Sequence, residues 1–298
     1  VITLTSRSFD AHELLAEIER HRCTHNTLVG DSFSKPIIAA IDEAIERGRP
    51  YDTSSLTMMV SSGVMWTSEV KEALLDRIPQ VILYDAMGST EGSMGSQVTM
   101  RGVHNETAKF VANPTTKVFR DDDTEVTPGS GEIGRVAAGG FVPLGYFKDP
   151  EKSARTFRVI DGARYSFPGD MAQVAADGTL ILLGRGSNVI NSGGEKIFPE
   201  EVESAVKSHP AIFDCTVVGV PDERWGSRVA AVVSVRDDAE LPALEDVQEH
   251  CRTKIAGYKV PRELHQVEQI QRSPSGKPDY RWAKSVATGE QPDENAAP

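Results

Sequence analysis

The stretch LGRGSNVINSGGEKIFPEEVE, residues 183–203, stands between two styles of sequence. Short strands punctuated by Gly, Pro and Asp precede it, and a compact mixture of helices and apolar strands follows. Within it, Gly184 and Gly186 flank Arg185, a spacing that suits a hinge changing φ/ψ around a ligand-contacting guanidinium. Gly193-Gly194 suits either a tight strand turn or the close passage of a slim ligand along the backbone. The stretch then enters a helix, with Pro199 near its start and Glu200 and Glu201 in its first turn. A plain β-turn ahead of a helix accounts for the same residues, so the neighbours must decide.

Downstream, FPEEVESAVKSHP and LEDVQEHCRTKIA read as helices, and IFDCTVVGV, RVAAVVSVR and ELHQVEQI as strands. They form an α+β unit over 188–285, after the stretch 185–187 that suits a hinge. The polar tail 286–298 reads as disordered. Upstream, residues 1–184 begin with alternating elements. VITL reads as a strand and FDAHELLAEIERH as a helix, with Asp10 as N-cap and Glu13 closing a capping box. HNTLVG, LTMMVSSG and VILYDAMG read as strands separated by the helices KPIIAAIDEAIERG and TSEVKEALLDRIP. Such alternation argues for a mainly parallel sheet with crossover helices. After about residue 110 the pattern turns β-rich, with a hairpin at Asp177-Gly178. The expected class is therefore α/β with a small β-rich subdomain, followed by a mobile α+β domain.

Composition narrows the function. The chain has 298 residues, 39% hydrophobic and 26% charged, with a formal net charge of -12. A non-specific nucleic-acid binder is normally basic, so that class is disfavoured. Cys23, Cys215 and Cys251 are scattered and lack C-x-x-C spacing, which fits a reducing, cytoplasmic setting without a disulfide framework. No run of 18 apolar residues is present. The start lacks Met and the features of a signal peptide, and the expectation is that more chain precedes it.

Several stretches could carry chemistry. In MGSTEGSMG, residues 87–95, Thr90 offers a hydroxyl for a phosphate oxygen and Glu91 a carboxylate for a hard cation such as Mg²⁺. A polar turn is the plain alternative. SSGVMW, residues 61–66, and FPGD, which places Asp170 on a turn, are equally two-sided. RSPSGKPDY, residues 272–280, holds Lys277 but is no P-loop, because the required glycine falls on Gln271. No H-E-x-x-H or G-x-S-x-G pattern occurs.

Singly these signals are weak, but their order is specific. GSTEG, then GD, then GR…SGGEKIFPEEVE, then GYKVPRELHQVEQIQRSPSGK resembles the adenylate-forming superfamily of acyl-CoA synthetases, adenylation domains and luciferases. SSGVMWTSEVK and YDAMGSTEG bring it nearest to actinobacterial fatty-acid–CoA ligases. The resemblance implies activation of a carboxylic acid by ATP-Mg²⁺ to an acyl-adenylate, then transfer to CoA after rotation of the small domain. It implies that Thr90 contacts the α-phosphate, Glu91 holds Mg²⁺, and Lys277 bridges carboxylate and phosphate. Gly63, Val64 and Met65, with Asp85, Ala86, Met87, Gly88 and Ser89, would line the adenine and acyl pocket. Asp170 and Arg185 would hold the ribose, and Ser192, Gly193, Gly194 and Glu195 would approach the pantetheine tunnel of CoA.

Departures from the family pattern are Met87 in place of an adenine-stacking aromatic, Ser187 at the hinge, and Asn191 where Lys is common. The family's Gly-x-Pro-Lys phosphate loop is expected upstream of residue 1. The chain therefore reads as the carboxyl-terminal part of a ligase that adenylates poorly or not at all by itself. Two rivals stay open: an adenylation domain loading a carrier protein, and a non-catalytic remnant binding AMP or a partner. Medium or long fatty acids and steroid-derived acids are all open as substrates, as is a homo-oligomer.

Overall fold

The computed structural model describes residues 1–6, 8–236, 239–273 and 276–290. The chain folds as two compact units that divide between Leu182 and Leu183. The first contains α1 (Ala11–His21), β1 (His25–Leu28), α2 (Gly30–Glu46), β2 (Met58–Ser62), α3 (Ser68–Arg77), β3 (Ile82–Ser89) and β4 (Gly92–Thr99). It continues with β5 (Lys109–Ala112), β6 (Thr116–Phe119), β7 (Gly134–Ala138), α4 (Pro150–Thr156), β8 (Phe157–Ile160), β9 (Ala163–Ser166) and β10 (Asp170–Val174), and the division falls within β11 (Leu180–Arg185).

Strands β1, β2 and β3 are parallel, in the register Leu28↔Ser61 and Ser61↔Asp85. The helices between them follow from apolar residues at helical spacing. Leu15 and Ile18 of α1, Ile37 and Ile41 of α2, and Leu74 of α3 bury their side chains with Leu28, Met59 and Leu83 of the strands. From β4 onward the pairing is antiparallel, with β4 against β3 and β5 against β4. A second core, including Met87, Met94, Phe110, Val136 and Leu180, fills this β-rich part.

Three local expectations are corrected. Residues 1–6 contain no strand, since VITL finds no neighbour to pair with among the described residues. Asp10 does cap α1, accepting from the His12 and Glu13 amides, but Glu13 does not close a capping box. Its carboxylate instead accepts from the amide and hydroxyl of Thr5, at 2.9 and 2.8 Å. Helix α2 begins at Gly30, earlier than the sequence suggests, and carries Pro36 inside it, where the missing N–H leaves the Ser32 carbonyl without its intrahelical donor.

The second unit comprises β12 (Ile190–Ser192), β13 (Glu195–Ile197), α5 (Pro199–Lys207), β14 (Ile212–Asp222), β15 (Gly226–Val235), α6 (Leu244–Arg252), β16 (Glu263–Gln266) and α7 (Tyr280–Thr288). Strand β15 runs antiparallel to β14 and parallel to β16. Helices α5 and α6 supply Val202, Val206 and Val247 to one core of this sheet. Helix α7 supplies Ala283 to another, with Val218 and Val232. Helix α7 takes in 286–288, which the sequence alone assigns to the tail; 291–298 lie outside the described residues. Among the described residues no helix is long and apolar enough to cross a membrane. The whole is a mixed α/β fold with a large sheet and a carboxyl-terminal α+β domain.

Candidate functional site

Parallel strands leave their carboxyl ends on one edge of the sheet, where loops can meet a ligand. The turn Gly63–Met65 follows β2 at this edge, and Thr90-Glu91 follow β3. The first turn is held from beneath by the start of α2. Gly30, at φ 48°, presses so closely that a Cβ there would meet the Met65 carbonyl oxygen at 2.6 Å. Its amide donates to the buried Ser61 hydroxyl at 2.9 Å, and the buried Asp31 carboxylate accepts from the Thr67 amide at 2.9 Å. Gly30 and Asp31 are positioning residues that no motif in the sequence singles out.

Strand β3 runs past its parallel neighbour and turns back as a hairpin, with Ser89 paired to Gly92 and Thr90-Glu91 at the tip. Thr90 is exposed. Three tethers hold Glu91. Its amide donates to Ser89 Oγ at 3.2 Å, its carbonyl accepts from the buried Ser166 hydroxyl at 3.0 Å, and its Oε1 accepts a hydrogen bond from the Tyr146 hydroxyl. Burial, with the Glu91 carboxylate as acceptor, pushes the Tyr146 hydroxyl upward, so it stays a donor at neutral pH. Asp170 opens β10 and is half-buried.

Alternation along β3 sorts the expected pocket residues by face. Ala86, Gly88 and Ser89 are partly accessible, whereas Asp85 and Met87 are buried. Asp85 receives a 2.7 Å bond from Lys71 Nζ, which also donates to Gln97 Oε1 at 2.6 Å. Burial pushes the Asp85 carboxyl up, and the Lys71 ammonium acts against that shift. Met87 packs in the β-rich core. In this structure both side chains brace the strand from within rather than facing the edge where Gly63–Met65 lie.

In the second unit, Gly193 and Gly194 form the two-residue turn between β12 and β13, with φ of 61° and 89°. Two positive φ values are what a tight hairpin of this kind requires, and glycine supplies them without strain. A Cβ on Gly193 would meet Trp225 Cε3 at 2.8 Å, and the Gly193 amide donates to the Trp225 carbonyl at 2.9 Å. Trp225 remains 37% exposed, with the Arg224 guanidinium 4.6 Å from its ring. Ser192, beside the turn, is half-buried, and Glu195 is exposed. Ser187 is exposed within a single 3₁₀ turn, Gly186–Asn188. The Arg185 amide donates to Glu200 Oε1 at 3.3 Å.

Lys277 is exposed, and no hydrogen bond or ion pair of its ammonium is found among the described residues. Its backbone is fixed: its carbonyl accepts from the Ser273 amide at 2.9 Å, and Arg272 donates to the Gly276 carbonyl at 3.1 Å. Arg272 also grips Asp214 on β14 through bonds of 2.7, 2.8 and 3.1 Å. Pro274 and Ser275 lie outside the described residues. Among the described residues no group of three or more His, Cys, Asp or Glu side chains forms a metal cage. A cation at Glu91 would need further oxygen ligands from a phosphorylated ligand, the usual situation for Mg²⁺.

A Thr-Glu hairpin tip on a parallel sheet, followed by an α+β unit with a Gly-Gly hairpin and an exposed loop lysine, defines an adenylate-forming architecture. Comparison with known families agrees. Residues 1–147 match the AMP-binding enzyme family, and residues 201–277 match the AMP-binding enzyme C-terminal domain. The chain belongs to this family.

The 3-oxocholest-4-en-26-oate–CoA ligase of Rhodococcus rhodochrous is 47% identical over 283 residues, covering 93% of this chain and 50% of the relative. The medium/long-chain-fatty-acid–CoA/3-oxocholest-4-en-26-oate–CoA ligase of Mycolicibacterium smegmatis is 46% identical over 291 residues, covering 97% and 52%. The chain spans about half the length of the curated relatives it matches. Among solved structures, the anthranilate CoA ligase AuaEII in complex with anthranoyl-AMP superposes with a TM-score of 0.79 at 26% identity, covering 94% of this chain and 53% of that one.

Proposed function

We propose that the chain is the carboxyl-terminal part of an ATP-dependent acyl-CoA synthetase acting on fatty or steroid-derived acids. The observation that carries the proposal is the Glu91 carboxylate, fixed by three tethers at an exposed hairpin tip beside the Thr90 hydroxyl. The names of the relatives support the acid class and the thiol acceptor.

In the first half-reaction a carboxylate attacks the α-phosphate of ATP, giving acyl-adenylate and pyrophosphate. Negative charge concentrates where two anions meet, so positive groups placed there in advance lower the barrier. Lys277 supplies such a charge and bridges carboxylate and phosphate. Thr90 donates to the α-phosphate. Glu91 would hold Mg²⁺, whose chemistry is charge neutralisation on phosphate oxygens. Gly63, Val64 and Met65, with Ala86, Gly88 and Ser89, offer a surface low enough for adenine to approach. Asp170 and Arg185 hold the ribose hydroxyls.

In the second half-reaction the CoA thiol displaces AMP. The Gly193-Gly194 turn, flanked by Ser192 and Glu195, lies along the pantetheine path. Ser187 serves as the hinge by which the domain exchanges Lys277 for that turn.

The test uses the whole protein that carries this chain. Lys277→Ala is expected to slow acyl-adenylate formation on the order of 100-fold or more. Thioester formation from supplied acyl-adenylate and CoA should stay near the wild-type rate. Equal loss in both half-reactions would overturn the role of Lys277, and transfer to a carrier protein but not to CoA would overturn the acceptor.

A further inference from the structure

Asp170 closes the turn Phe167-Pro168-Gly169-Asp170, and a cluster of charged side chains that no motif includes holds that turn at both ends. At the first end, the Phe167 amide donates to the Thr156 carbonyl at 2.8 Å, and its ring packs 5.8 Å from that of Phe119. The guanidinium carbons of Arg135 and Arg158 each lie 5.3 Å from the centre of the same Phe167 ring. At that range a cation is drawn to the negative face of an aromatic ring. At the second end, Arg135 of β7 stands opposite Met171 of β10, the residue after Asp170. One arginine therefore grips the turn through a side chain at its start and through the strand pairing just past its end.

Two like charges on one ring would repel. Asp123 offsets this by accepting from Arg135 on Oδ1 at 3.0 Å and from Arg158 on Oδ2. Arg135 also donates to the Arg120 carbonyl at 2.8 Å. Asp123 does this from a left-handed backbone, φ 65°, a conformation that aspartate tolerates better than most residues. Between the two ends, Pro168 fixes its own φ, and Gly169 turns the chain at φ 102°, where a side chain would be strained.

The Asp170 side chain keeps contacts of its own. What the cluster fixes is the backbone that carries it, and so the place from which the carboxylate is offered. A carboxylate that accepts from both hydroxyls of a ribose must meet two donors at once, so a small shift of its backbone weakens both bonds. That loss falls on the sugar and spares contacts to adenine and phosphate.

We propose that Phe167, Arg135 and Arg158 are positioning residues for Asp170, and that through it they set the preference of this site for a ribonucleotide over a nucleotide without sugar hydroxyls. The inference rests on Asp170 holding the ribose.

The experiment measures binding of AMP and of 2′,3′-dideoxy-AMP to the whole protein by calorimetry. The wild-type protein is expected to prefer AMP. Phe167→Leu keeps an apolar side chain and removes the ring face. It should lower the preference about fivefold, by weakening AMP and leaving the dideoxy compound unchanged. Arg158→Gln should lower it by less. Phe167→Tyr keeps a ring face and should hold the wild-type ratio; a loss there equal to that of Phe167→Leu would count against the ring contact. A merely structural cluster would weaken both nucleotides together. Equal loss of both, or an unchanged ratio in Phe167→Leu and Arg158→Gln, would therefore overturn the proposal. Should Phe167→Leu fail to fold, Arg158→Gln decides alone. Asp170→Asn separates the two levels. If it leaves the ratio unchanged, the ribose reading fails and the inference falls with it. If it abolishes the preference while the cluster variants do not, only the inference fails.

Discussion

Replacing Lys71 with Met is expected to be among the most damaging single changes in the first unit. Lys71 is 1% exposed, yet its ammonium is satisfied by Asp85 at 2.7 Å and by Gln97 at 2.6 Å. Methionine fills nearly the same volume, so the cavity term is small. What remains is a buried Asp85 carboxylate without its counter-ion and a Gln97 oxygen without its donor. Removing one partner of a buried pair costs about 3–5 kcal/mol.

Urea unfolding of the chain, followed by fluorescence, reports on it directly. The Trp66 ring lies 5.4 Å from Lys71 Nζ, so the probe sits beside the lesion. A loss of that size lowers the midpoint by roughly 2 M for an m-value of about 2 kcal/mol/M.

The pH dependence has a definite sign. Without Lys71, burial raises the folded-state pKa of Asp85 above its unfolded value. The folded state then binds more protons, and stability falls as pH rises through that window. The penalty of the variant relative to wild type should therefore be full at pH 7 and shrink as pH drops toward about 4. Lys71→Met with Asp85→Leu should recover part of the loss, leaving about 1–3 kcal/mol for the orphaned Gln97 oxygen. A single-variant cost below about 1 kcal/mol, or a penalty that grows on acidification, would refute the account.

Two further outcomes concern the second unit. Gly193→Val places a branched side chain at φ 61° against Trp225 and should cost about 1–3 kcal/mol. In the whole protein it should slow thioester formation more than adenylation, which separate half-reaction assays would reveal; a change confined to adenylation would count against the assigned path. Arg272→Gln breaks the fork onto Asp214 and the bond to the Gly276 carbonyl. Hydrogen exchange of the Gly276 amide should then quicken about tenfold or more, since a charge-assisted bidentate pair contributes more than a neutral bond. Unaltered exchange would show that the pair does not hold the loop of Lys277.

The assignments that succeeded from sequence were those governed by local chemistry. Apolar spacing located α1, α3 and α5 and the parallel strands, because burial of one face sets the period. Asp10 was readable as a cap, and Gly193-Gly194 as a tight turn, because few other residues meet those backbone needs. Helix α7 was less legible: its buried Ala283 is a weak signal, and its packing depends on β14 and β15.

Asp85 and Met87 show the opposite limit. A motif places both on a ligand-binding strand, but alternation along β3 and its partners decide which face each side chain takes. Lys71, fourteen residues away in sequence, claims Asp85. Tyr146 and Glu91 are 55 residues apart, and no periodicity links them.

By itself the sequence determined the family, the succession of elements and the types of side chain available for chemistry. These depend on residue type, short spacings and motif order along the chain. Only the tertiary structure decided which distant segments hold Glu91, which glycines touch a neighbour and which carboxylates are buried inside the fold. Those are set by hydrogen bonds and packing between segments distant in the chain, and such contacts leave no local trace in residue order.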